Sequence, residues 1–98
     1  MLVTALIKLS VKEDQGSAFR AAMQDPIALT RANPECSRME LFANTEDPTD
    51  YLLVEEWTTI AAHHAHVADF IENGVLEAMS ALSSAPPETI HYVETEED

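Results

Sequence analysis

Apolar and polar residues alternate through LVTALIKLSV at residues 2–11. Val3, Ala5, Ile7, Leu9 and Val11 fall on one side of a strand and Thr4, Leu6, Lys8 and Ser10 on the other. The second side is only half polar. Lys12 to Gly16 reads as a polar turn. From Ser17 the period becomes helical, with Phe19, Met23, Ile27 and Ala28 spaced to share a face through AFRAAMQDPIALTRAN. Pro26 is expected to kink or restart this helix, because it removes a backbone donor and crowds the preceding turn. Asn33-Pro34 is expected to end it.

Cys36 to Asn44 alternates again, with Met39, Leu41 and Ala43 opposite Glu40 and Phe42. The turn cluster TEDPTD follows, so the strand that begins at Tyr51 should pair with it as an antiparallel hairpin. That third strand sets Tyr51, Leu53, Glu55 and Trp57 against Leu52, Val54 and Glu56. Thr58 or Thr59 is a natural N-cap for a helix from about Ile60. Asn73-Gly74 should break it, and Val75 to Leu82 supplies a further helical piece. Ser83 to Pro87 reads as a turn and Glu88 to Thr95 as a last strand.

The order is β-α-β-β-α-β, a ferredoxin-like α+β fold: one antiparallel sheet with helices on one face. Helices cover only one side of such a sheet, yet the first and third strands carry Leu and Val on both. A second copy of the chain is the simplest cover for the other side, which implies a homodimer through the sheet face.

Composition narrows the partners. The 98 residues suit one domain, expected over residues 1–95, with an acidic tail at residues 96–98. Eighteen acidic against five basic residues give a formal net charge of −13. Nucleic acids and anionic membrane surfaces, bound mainly through Lys and Arg, are therefore not expected partners. Cys36 is the single cysteine, so neither an internal disulfide nor a cysteine-based zinc site is expected. The first residues lack a basic region and a small-residue cleavage site, and read as a strand rather than a signal peptide. No apolar run approaches the roughly 20 residues that span a bilayer. These features together point to a cytoplasmic protein.

The segment LLVEEW, followed by a helix with His66 nine positions after Trp57, resembles the antibiotic biosynthesis monooxygenase family. The passage RANPECSRMELF into the second strand is similar as well, so the resemblance spans nearly the whole chain. It implies a dimeric α+β barrel with a pocket between sheet and helices, into which tryptophan and histidine project. Some members of that family oxygenate polycyclic phenols, anthrones or quinols with molecular oxygen and no metal or organic cofactor. Others degrade haem, act on small signalling metabolites, or have no known reaction. The haem-degrading branch carries an asparagine in its first strand. This chain has none between Leu2 and Val11, which disfavours that activity. The second histidine that many members carry after the helix is replaced here by Asp69-Phe70-Ile71, and His63 stands where an apolar residue is common.

Within this frame His66 is the first candidate base, since a histidine titrates near neutrality and cofactor-free oxygenation needs a base to form the reactive anion. The plainer reading is a histidine that borders a pocket. Trp57 is either a platform for a flat substrate or simply core. Glu55 shares its face and, if buried, either orients a histidine or acts as the base itself; the plainer reading is a strand-edge carboxylate in water. Tyr51, Phe42, Phe70 and His63 complete the expected substrate-binding set. His63 and His66, at i and i+3, share a helical face that can clamp a transition metal, but His64 points roughly 100° away. No metal and no cofactor are expected, and His63 and His64 have no evident partner. His91 can face either the pocket or the dimer interface.

The reading is an oxygenase acting on a small aromatic or quinol-like compound. Two rivals use the same scaffold: a small-ligand-binding module without catalysis, and an isomerase or lyase acting on a small keto metabolite.

Overall fold

A computed structural model describes residues 1–95; the acidic tail expected at residues 96–98 lies outside the described residues. The elements are β1 (Val3–Ser10), α1 (Gly16–Ala32), β2 (Cys36–Ala43), β3 (Asp50–Trp57), α2 (Ile60–Glu72), α3 (Val75–Ala81) and β4 (Glu88–Val93). They form the expected ferredoxin-like α+β fold, with the strands in the order β2-β3-β1-β4 and every neighbouring pair antiparallel.

The alternation in the strands becomes the two faces of this sheet. Val3, Ala5, Ile7 and Leu9 of β1 and Tyr51, Leu53, Glu55 and Trp57 of β3 are all buried toward the helices. The β2–β3 hairpin is held by its turn: Asp47 Oδ1 accepts from the Thr49 backbone N–H at 2.9 Å, and Asn44 Oδ1 from that of Glu46 at 2.8 Å.

Pro26 neither ends nor restarts α1, which runs through it from Gly16 to Ala32. The carbonyl deprived of its usual partner belongs to Ala22, an exposed residue, so water can satisfy it. The buried stripe also differs from expectation. It runs Phe19, Met23, Pro26, Thr30, while Ala28 is exposed. Thr59 caps α2, its hydroxyl accepting from the Ala62 N–H at 3.0 Å. Gly74 takes φ 76°, a left-handed conformation that suits glycine, and separates α2 from α3.

On the outer face Leu6, Val54 and Ile90 align across β1, β3 and β4, with Leu52 and Phe42 beside them. Phe42, Ile90 and Tyr92 are exposed there. Among the described residues, no helix is long and apolar enough to cross a membrane.

Candidate active site

Strand register assembles the polar side of the site. Glu55 pairs with Ala5 on one side and Met39 on the other, and His91 pairs with Ala5 from β4. Glu55 and His91 thus lie in one cross-strand row, on the helix-facing side, separated by a methyl group. His63 of α2 spans the gap: its Nδ1 lies 2.8 Å from His91 Nε2, and its Nε2 lies 3.7 Å from Glu55 Oε1. One residue face thereby collects a carboxylate, a buried imidazole and a half-buried one.

Glu55 is not the strand-edge carboxylate reaching water. It is 4% exposed, and Trp57 Nε1 donates to its Oε1 at 2.8 Å. Burial pushes its pKa up, and the indole N–H works against that shift. Burial and the neighbouring imidazoles of His91, His64 and His66 push His63 down to about 4. Its 3.7 Å contact with Glu55 is too long for a hydrogen bond.

His66 is held by α1. The Thr30 hydroxyl lies 2.8 Å from the Pro26 carbonyl and 2.8 Å from His66 Nε2. A carbonyl can only accept, so the single hydroxyl proton goes to Pro26 and His66 Nε2 must donate to Thr30. Neutral His66 is therefore the Nε2–H tautomer, with its basic lone pair on Nδ1. That atom makes no hydrogen bond to the described residues, among which no buried side-chain nitrogen or oxygen lacks a partner. It consequently opens on free space. Burial lowers the pKa of His66, partly offset by Asp69.

His66 also lines a cavity of about 90 Å³ between the sheet and all three helices. Ile7, Leu9, Leu53, Met23, Met39 and Met79 make it apolar, while Glu55, His63, His66 and Thr30 form its polar side. Phe70 closes over His66 with ring centroids 4.2 Å apart. Pro87 and Thr89, exposed at the start of β4, mark the side nearest solvent.

Of the residues singled out in the sequence, His66, Glu55, Phe70 and His63 are brought together here. Trp57, Tyr51 and Phe42 are not on the cavity wall. Trp57 is wholly buried behind the histidines, 5.4 Å from His63 and 5.0 Å from His66 between centroids. Tyr51 lies six residues away along β3, about 20 Å at strand spacing, where its hydroxyl accepts from Arg20 at 2.8 Å. Phe42 alternates with Met39 and Leu41 and so points out of the opposite face. His63, expected to lack a partner, has one in His91. Thr30 escaped notice, although a threonine on an otherwise apolar helical stripe is a usable signal. Among the described residues, no three His, Cys, Asp or Glu side chains are placed to hold a metal ion, because His63 and His66 turn to different partners.

The profile of the antibiotic biosynthesis monooxygenase family matches residues 2–69. The chain belongs to that family. No curated protein matches it in sequence. Solved structures match along its length, among them a conserved protein from Methanosarcina mazei Go1 (TM-score 0.88, 17% identity, 97% of this chain and 94% of that one). A mutant of SnoaB, a cofactor-independent oxygenase from Streptomyces nogalater, matches with TM-score 0.82 and 19% identity over 98% of this chain and 95% of its own. A structure described as an antibiotic biosynthesis monooxygenase gives 0.87 and 18% over 96% and 99%. At these identities the likeness establishes the fold. For this member of the antibiotic biosynthesis monooxygenase family, chemistry has to be argued from His66, Glu55 and the cavity they share.

Proposed function

We propose that the chain, as a single domain over residues 1–95, is a cofactor-independent oxygenase of a small single-ring phenol or quinol. The observation that carries this reading is the buried imidazole of His66, its tautomer set by Thr30 and its ring on the wall of a largely apolar cavity. A pKa below the ordinary histidine value keeps Nδ1 free to accept a proton at neutral pH. His66 Nδ1 takes the substrate's hydroxyl proton. The phenolate then reduces dioxygen and forms a carbon–oxygen bond at an activated ring carbon. Protonation of the peroxide and loss of water leave a carbonyl, so one oxygen atom enters the product and the other leaves as water. The apolar walls exclude bulk water from the anion.

The cavity limits the substrate. Its 90 Å³ is below the roughly 150 Å³ of a cavity that holds benzene. One ring enters only when the flexible side chains of Met23, Met39 and Met79 turn aside, and three fused rings do not fit. The same volume favours a second reading, proton transfer within a small keto compound by the same base. Oxygen uptake with a panel of monocyclic quinols and tricyclic anthrones separates the two. Uptake confined to single-ring compounds supports the oxygenase, whereas equal product formation under nitrogen supports the isomerase and overturns it.

The outer sheet face supports a homodimer, with Leu6, Val54 and Ile90 at its centre. The strongly acidic chain argues against nucleic acid or membrane partners.

A further inference from the structure

We propose that Glu55, His63 and His91 form a proton path between the cavity and solvent on the β4 side. It rests on the cavity being the reaction site, and it gives the buried carboxylate a way to load and discharge. Glu55 is buried at the cavity wall, so any change in its protonation needs a route to water.

The geometry supplies one. His63 touches the cavity and is 2% exposed, so its own ring is sealed from bulk water. Its Nδ1 is hydrogen-bonded to His91 Nε2, and His91 is half-buried. Beyond it lies the exposed ring of His64, its centroid 5.6 Å from that of His91. The remaining gap is the 3.7 Å between His63 Nε2 and Glu55 Oε1, too short for an intervening water and closed by a side-chain shift of less than about 1 Å; such contacts commonly tighten when substrate binds. The groups facing His63 are Glu55 from β3, His91 from β4, and His64 and His66 from its own helix. From α1 the site receives only the neutral hydroxyl of Thr30, which is committed to His66.

Proton bookkeeping closes. A protonated Glu55 donates to His63 Nε2 while His63 Nδ1–H donates to His91 Nε2, and His91 releases its Nδ1 proton to water. One proton has left the carboxyl and one has entered solvent. The reverse sequence delivers a proton from solvent to Glu55. One outward and one inward transfer together reset both imidazoles without turning either ring.

Exchange of the His63 ring proton with water, read in ¹⁵N-histidine spectra of the full chain, tests this without any substrate. A connected His63 exchanges fast despite its burial, and exchange falls by about tenfold or more in His91→Phe. His91→Gln, which keeps a hydrogen-bonding group but cannot hand a proton on, shows the same slowing should the phenylalanine variant not fold. A purely structural His91 gives the opposite sign, since replacing it leaves exchange unchanged or opens His63 to water and speeds it. Slow exchange in the wild type overturns the path without any variant. Failure to find an oxygenase substrate would leave these results untouched, so the two readings fail separately.

Discussion

At the scale of single residues, the site depends on who holds each imidazole. Thr30 gives up its proton to Pro26 and thereby dictates the tautomer of His66. Thr30→Val leaves Nε2 buried without an acceptor. It should cost about 1–3 kcal/mol of stability in urea unfolding, and it should lower turnover by at least about tenfold as the ring loses its preferred tautomer. His63 sets an acid-side stability limit. Its folded pKa of about 4 lies below the ordinary 6.5, so the unfolded chain binds the proton that the folded chain refuses. The stability it contributes is complete above pH 6.5 and declines as pH falls toward 4. Glu55, with its pKa raised, works in the other direction, gaining stability on protonation. Thermal unfolding at pH 7 and pH 4.5 should therefore show a smaller acid loss in His63→Gln than in the wild type. The position of Glu55 on the inner face of the third strand and of His66 on the helix after it was legible in the sequence. The bond from His63 to His91 was not, since it crosses 28 residues and exists only once β4 pairs with β1 in its particular register.

At the scale of elements, alternation and helical spacing carry most of what can be read in advance. β1 and β3 alternate without interruption, and the hairpin turn and the N-terminal cap of α2 are signalled by Asn, Asp and Thr side chains whose bonds are local. α1 was harder. A proline inside a helix predicts a break by local rules, but the freed carbonyl of Ala22 faces water and burial of Pro26 keeps the helix against the sheet. Its neighbour on that stripe, Thr30, is what reaches His66. The α2–α3 junction rests on Gly74 at φ 76°, with no atom within 4 Å of where a Cβ would stand. Gly74→Ala is thus a test of backbone strain alone. It should cost on the order of 1 kcal/mol in thermal unfolding, with the cavity-facing Leu76 and Met79 keeping their places on α3.

At the scale of the whole molecule, one sheet divides two tasks. Its helix face encloses the cavity. Its outer face leaves Leu6, Val54 and Ile90 in a single row with little to cover them. Leu6→Glu places a charge at the centre of that row. Sedimentation should then move from twice the chain mass to the chain mass, while the far-ultraviolet circular dichroism of the variant stays that of the wild type. The family profile agrees with the fold, but the proposed chemistry turns on the Nε2–H tautomer of His66 at the wall of an apolar cavity. Oxygen uptake by wild type and by His66→Gln, with monocyclic quinols at pH 7, tests this most directly. The result expected is steady uptake by the wild type and a fall of about a hundredfold or more in a folded His66→Gln. Uptake that survives the substitution, or no uptake by the wild type with any of these compounds, would contradict it.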